Sequence, residues 1–583
     1  MSVLIPNSRS WRCFAVCVVA LCGSAASAQA AEYYVAPTGN DSNAGTMSQP
    51  FATLQKGVSV SAAGDTVWIR GGTYRITTPA NSGAGIAVNK SGTSDTNRIR
   101  FWAYPGEVPV FDFADMAIST SGYTVGIAVS GSWLHFKGLE IRNVPMNTRS
   151  NTGISITDPA HDDIFELLNI HHISGTGLFI SHTAGGHLIL NSDSHDNYDP
   201  TSTQGDGQNA DGFGAHYQEG GAVTTFRGCR AWWNSDDGWD LISQERTVVI
   251  ENSWAYGNGY INSGQGRPAD GAGNGYKVGS SKTGIRHIVR NNLAWGNRAA
   301  GFYANHSSGG NDWFNNTAYK NGSAFNLLAS TWDAAGNRTD GVTLSGALAH
   351  KLRNNVGLPN KNSYVDGYGV DTASNTWDLG IVPADADFVS VAETGLLGPR
   401  QADGSLPSLG FLQLREGSKL VDKGTNVGLP YVGAAPDLGA YELGAVVGGG
   451  GSASGGAGGS SGAPSGGGNT QAGASAASGN NAGGAQASGG VQSVGGGSVA
   501  AGGSAVGGSA SGGEAQTGGS AAQGAGVAGA MTNATTPSDP EGCGCKLAGS
   551  PLEERLPSGI CALGLAVVCF ARRRSSRCAG LTS

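Results

Sequence analysis

Charge is scarce in this sequence. Only 13% of its 583 residues are charged, and the formal net charge is −8. No broad basic surface is available, which excludes a nucleic-acid partner held through its phosphates. Mild acidity does not exclude a polyanionic substrate, because a metal ion or a local basic group can reverse the sign within one groove. Cysteine is missing where a disulfide framework would need it. Of nine cysteines, Cys13, Cys17 and Cys22 lie near the start, Cys543, Cys545, Cys561, Cys569 and Cys578 near the end, and Cys229 alone lies between. The central region therefore has no internal disulfide, and Cys229 reads as a small buried apolar residue. No stretch sustains a 3.6-residue apolar period, so a bundle of helices is excluded. The apolar segment 559–571 is short of the about 20 residues that a membrane-spanning helix needs.

Both ends read as addresses. Arg9 and Arg12, the apolar run 14–21 and the small residues ending Ala28-Gln29-Ala30 form a secretory signal peptide, residues 1–30, with cleavage expected after Ala30. Residues 444–533 are almost wholly Gly, Ala and Ser, a composition that cannot bury a core and is expected to be a flexible spacer. The last part, 534–583, holds Cys543-Gly-Cys545, the apolar segment 559–571 and Arg572-Arg573-Arg574. That order resembles the C-terminal sorting tails of myxobacterial surface proteins and implies anchoring at a membrane or cell surface, with the arginines on the cytoplasmic side.

What the chain does have is a Gly-aromatic beat. Pairs begin at Gly212, Gly238, Gly275 and Gly301, at intervals of 26, 37 and 26 residues. Such a period marks a repeat architecture with one coil per repeat. Short strands separated by Asn, Asp and Gly turns over residues 31–443, after a short capping helix within 52–62, predict a right-handed parallel β-helix. Strands are expected at 66–70, 99–103, 133–141, 153–156, 167–173, 177–181 and 187–191. Phe213, Trp239, Tyr276, Phe302 and Phe325 should stack inward in one column. Alternation then turns Gly214, Asp240, Lys277, Tyr303 and Asn326 outward. The long 37-residue step contains a loop, 260–271, inserted beside those outward residues.

Four acids gather in this frame. Asp211 and Asp237 each precede a repeat glycine one coil apart, Asp236 adjoins Asp237, and Asp240 points outward. Turn aspartates often do no more than satisfy backbone groups. Four converging carboxylates repel one another, however, and a hard divalent cation with oxygen ligands, Ca2+, would remove the conflict. No His or Cys appears in the cluster, which argues against zinc. Lys277 falls one rung from the proposed metal on a face expected to be open to solvent. A nearby dication would lower its pKa from about 10.4 and free a neutral amine as a general base.

At these residues the chain resembles the family 9 polysaccharide lyases, which include calcium-dependent pectate lyases. The matching phrases are Asn209-Ala210-Asp211-Gly212, Ser235-Asp236-Asp237-Gly238-Trp239-Asp240 and Gly273-Asn274-Gly275-Tyr276-Lys277. The resemblance implies Asp211, Asp236, Asp237 and Asp240 as calcium ligands and Lys277 as the base. The implied reaction is β-elimination on an acidic polysaccharide such as pectate (polygalacturonate), by a monomer. Arg267 in the inserted loop and Arg298 in the next coil are candidates to hold a substrate carboxylate. Three other readings stay open: a β-helix glycoside hydrolase that uses the acids without metal, a lyase on a different acidic polymer, and a non-catalytic polysaccharide-binding surface protein. The boundaries themselves can be tested. A chain of residues 31–443 should be soluble and fully active, and its misfolding would place the spacer or tail within the fold.

Overall fold

The computed structural model describes residues 30–445 except 81–82, 119–123, 147–150, 183–184, 334–336 and 360–368. The signal peptide, nearly all of the spacer and the tail lie outside the described residues. Within them the chain winds into parallel sheets of twelve, ten and nine strands, and each strand inside a sheet pairs with its counterpart one coil before and one coil after. A representative coil runs Thr224–Arg227 in the twelve-stranded sheet, Arg230–Trp232 in the ten-stranded sheet and Trp239–Ile242 in the nine-stranded sheet. This is a parallel β-helix. The short helix Leu54–Val60 covers its first coils, capped by the Thr53 side chain on the N–H of Lys56.

Corners set the coil. The expected strand at 133–141 is two strands, Leu134–Lys137 and Glu140–Arg142, broken at Gly138 (φ 73°). The expected strand at 167–173 likewise shortens to Asn169–His171, because Leu167 and His172 both turn left-handed. Asn191, Asn252, Asn291, Asn315 and Asn354 repeat the left-handed conformation at the first corner. Asn tolerates it better than most residues, which is why turn letters recur along the sequence.

Two asparagine ladders run inside the corners. In one, Nδ2 of Asn197, Asn234, Asn258 and Asn297 donates to Oδ1 of the next member, ending at Asn321, at 2.8–3.0 Å. In the other, Asn292, Asn316 and Asn355 do the same toward Asn375. The first ladder explains the repeat glycines. A Cβ on Gly238 would lie 2.6 Å from the carbonyl oxygen of Gly275 and 2.8 Å from Nδ2 of Asn258, and Gly275 is hemmed in the same way by Gly301 and Asn297. Only glycine lets the strand start so close to the ladder.

The inward column forms as the alternation requires. Phe213, Trp239, Tyr276, Phe302 and Phe325 stack with centroids 4.7–5.1 Å apart, and Cys229 is buried nearby. Residues beyond about 384 fold back on the ten-stranded sheet, packing Phe388, Leu396, Phe411 and Leu438 against Trp254, Trp295 and Tyr319. Arg230 and Arg400 clamp this segment by sharing Asp193, while Arg230 also donates to the carbonyls of Leu396 and Gly398. Asp193 loses water on burial, but the two guanidiniums outweigh that and pull its pKa down to about 2. Its stabilising contribution is therefore complete above the usual carboxylate pKa and is lost as pH falls through about 2.

The ladder predicts a measurable cost. Asn258→Ala removes bonds to Asn234, Asn297 and the carbonyl of Ala231. Leaving buried groups without partners should lower stability by about 2 kcal/mol or more, read as a lower urea midpoint. An unchanged midpoint would show that the ladder contributes nothing.

Candidate active site

The acids sit in the column just before the repeat glycines. Each side chain there gives one oxygen to the next coil. Asp211 Oδ1 accepts from the N–H of Asp237 (3.2 Å), Asp237 Oδ1 from the N–H of Asn274 (2.6 Å), and Asn274 Oδ1 from the N–H of Ala300 (3.1 Å). The turn role of these residues is thus real, and it engages one oxygen per side chain. The other oxygen of Asp211 accepts from the Thr176 hydroxyl at 3.2 Å, and that of Asp237 meets Lys277. Asp211, Asp237 and Asp240 each offer a carboxylate oxygen within 4.8 Å of the others.

Register delivers the rest. Asp240 pairs with Gly214 before it and Lys277 after it, and Lys277 pairs with Tyr303. Lys277 Nζ lies 3.1 Å from Asp237 Oδ2 and 3.3 Å from Asp240 Oδ2. One expectation needs correcting: this face is not open to solvent. Asp237 is fully buried, Asp240 is 5% exposed, and the Lys277 side chain is 16% exposed. The site is a recess in which charges interact strongly.

Asp236 stands apart from the three-acid group. Its Oδ1 accepts from the N–H of Ala272, where the inserted loop rejoins the coil, at 2.6 Å. Arg298 is also engaged with that loop, donating to the carbonyls of Pro268 (3.2 Å) and Gly271 (2.7 Å). Burial and the charge of Arg267 lower the pKa of Arg298. Arg267 itself is exposed on the loop.

A second correction concerns histidine. His216 lies in the Phe213–His216 strand, and its Nε2 is 3.5 Å from Asp240 Oδ2. The acid group itself holds no His or Cys, as expected, but His216 adjoins it through Asp240, which narrows the case against zinc. His216 was legible, since it follows Gly214 by two residues and shares its outward parity.

The donor set fits a hard dication. Asp240 Oδ1 is buried without a hydrogen-bond partner among the described residues, and Asp237 Oδ2 meets the Lys277 ammonium as an ion contact without hydrogen-bond geometry. Buried carboxylate oxygens without donors are costly. A cation accepting oxygen ligands would satisfy them.

Electrostatics agrees with that shortage of positive charge. Burial pushes Asp211 and Asp236 well above the usual carboxylate range, and neighbouring acids push them further. Burial also raises Asp237, partly offset by Lys277. For Asp240, burial is outweighed by Lys277 and His216, and its pKa falls. Burial opposes charge on Lys277, yet the acids, Asp240 foremost, hold its pKa well above the ordinary lysine value.

Residues 33–355, more than half of the chain, match the family model described as Pel9A-like, right handed beta helix region. The chain belongs to this Pel9A-like family. Pectate lyase L of Dickeya chrysanthemi is 35% identical over 411 residues, covering 70% of this chain and 90% of that protein. The crystal structure of pectate lyase Pel9A is 34% identical with a TM-score of 0.58, over 71% of this chain and 97% of that one. A solved rhamnogalacturonan lyase is 31% identical, also at 0.58, over 66% of this chain and 96% of that one. As a Pel9A-like protein the chain is an enzyme, a lyase, and its parallel β-helix is the right-handed form.

The acid cluster makes a pH prediction for the metal-free protein. Acids whose folded pKa is raised support stability fully below about pH 4 and lose it as pH rises through the raised values. After chelation, the Tm should fall as pH rises from about 4 toward neutrality, and calcium should remove the fall. A calcium effect on Tm that is the same at every pH would contradict this.

Proposed function

We propose that this enzyme cleaves polygalacturonate or a closely related uronate polymer by β-elimination, as a secreted or surface-displayed lyase. The observation that carries the reading is Lys277 lying within 3.3 Å of two carboxylates, Asp237 and Asp240, that themselves lack enough donors. Four acids against one lysine keep that lysine charged and ion-paired. Calcium held by Asp211, Asp237 and Asp240 would balance those charges and draw electron density from a substrate carboxylate.

Lys277 in its neutral form takes the C5 proton, the carbon next to the sugar carboxylate. Electrons from that C–H bond form the C4–C5 double bond, and the glycosidic bond at C4 breaks, with its oxygen leaving on the departing chain and taking up a proton. The recess limits water around the amine, which strengthens its interaction with a bound carboxylate. Without the cation, Asp237 and Asp240 hold Lys277 through Oδ2 of each. Asn274 in turn orients Asp237 through Oδ1.

A second polymer has specific support. The rhamnogalacturonan lyase structure is about as similar as the pectate lyase structure. Incubation of the enzyme with de-esterified polygalacturonate and with rhamnogalacturonan, followed by ultraviolet absorbance of the unsaturated product, separates the two. The polygalacturonate reading expects calcium-dependent absorbance from the first. Reducing ends released without unsaturated product would support a hydrolase instead.

The base role makes the sharper prediction. Lys277→Ala should lower turnover by about 10³-fold, within the usual worth of a general base, while leaving calcium affinity within a fewfold. Lys277→Arg should fail as badly, because a guanidinium stays protonated. Substantial activity in the arginine variant would show that the position supplies charge and not proton abstraction.

A further inference from the structure

Beyond Lys277, on the side away from the acids, the nine-stranded sheet continues to Tyr303 and Asn326. There a hairpin rises beside it, with strands Ser330–Trp332 and Arg338–Asp340 paired antiparallel. Its root is stitched to the segment after Tyr303. Ser307 and Ala329 form a parallel bridge, and the N–H of Ser330 donates to the carbonyl of Ser307 at 3.3 Å.

One carboxylate oxygen locks the assembly. Asp340 Oδ1 receives the Ser330 hydroxyl at 2.6 Å, His306 Nδ1 at 2.9 Å and Arg338 Nε at 2.8 Å. The His306 ring in turn meets the Tyr303 ring edge-on, with centroids 5.9 Å apart. Arg338 is thereby tied through Asp340 to His306, the ring that meets Tyr303, and its side chain is 28% exposed. Its charge acts on both Tyr303 and His306, as does that of Lys277.

This arrangement gives the groove a second cationic pole. The acids and Lys277 occupy adjacent rungs, and Tyr303 is one rung further on. From Asp240 to Tyr303 is two rungs, about 10 Å at ordinary strand spacing. A uronate polymer carries a carboxylate on each acidic sugar. With one carboxylate at the acid cluster, another along the same chain comes level with the hairpin. Arginine's planar fork suits a carboxylate, and Asp340 fixes the orientation of that plane.

We propose that Arg338 binds the carboxylate of a second uronate residue of the bound polymer and thereby sets a preference for substrates with closely spaced unesterified acids. The inference rests on the uronate-lyase reading above. Arg338 is a specificity residue for that reaction, and the two arginines considered from the sequence, Arg267 and Arg298, are not needed for this contact.

The test is steady-state kinetics of Arg338→Ala and Arg338→Lys in the full-length, calcium-loaded enzyme. On de-esterified polygalacturonate, Arg338→Ala should raise KM about tenfold, the size expected for losing a charge-assisted bond, with kcat within about threefold. Arg338→Lys keeps the charge without the fork and should recover part of the loss. On heavily methyl-esterified polymer the gap between wild type and Arg338→Ala should shrink. The proposal is overturned by an unchanged KM, by an equal KM penalty on both polymers, or by equal penalties in both variants alongside a matching fall in Tm. Wild-type enzyme releasing no unsaturated product from any uronate polymer would instead sink the underlying lyase reading.

Discussion

A hydrogen bond from the backbone N–H of one coil to the side-chain oxygen of the coil before it holds the acid cluster in register. It joins Asp211 to Asp237, Asp237 to Asn274, and Asn274 to Ala300. The same stacking closes the asparagine ladder behind it and leaves room only for glycine at the start of each strand. One consequence is chemical. Asp237 is anchored through Oδ1 and turns Oδ2 to Lys277, while Asp211 is held at Oδ1 by the N–H of Asp237 and at Oδ2 by the Thr176 hydroxyl, so the acids converge with little freedom to separate. Repulsion that a flexible loop would relieve by moving is retained here, and it adds to burial, the larger cause, in raising the pKa values of Asp211, Asp236 and Asp237.

Structure and chemistry therefore share residues. A coil aspartate that only closed a turn could be replaced by asparagine, and the third member of the column is indeed Asn274. The two before it remain acids and carry the charge that a dication would answer. Lys277 follows one rung later at the outward position, where the strand's alternation alone brings its amine to Asp237 and Asp240. Preorganisation of this kind costs nothing at the moment of reaction, because the scaffold has already fixed the geometry.

Much of this was readable before any coordinates. Period and alternation located the aromatic column and the outward residues, because a strand's two-residue repeat is strict and the coil register leaves no slack. Burial was not readable. Strand alternation turns Lys277 outward but does not say how deep it lies, and in the fold Asp237 is fully buried and the Lys277 side chain is 16% exposed. His216 is legible by parity alone, as the outward position two residues after Gly214, but it carries no motif that marks it as a neighbour of Asp240. Arg338 and His306 depend on a hairpin that returns to the sheet after a full coil, and no local pattern marks such a return. Corners are not legible where a single left-handed residue, Gly138 or Leu167, breaks what reads as one continuous strand.

The central claim is that the acids hold a cation that displaces charge from around Lys277. A crystal structure of the protein soaked with calcium tests it most directly. The account predicts a single peak of density bonded at about 2.3–2.6 Å to oxygens of Asp211, Asp237 and Asp240, with the Lys277 amine withdrawn from Asp237 Oδ2. Saturating calcium that leaves no density there, with Lys277 still paired to both carboxylates, would contradict it.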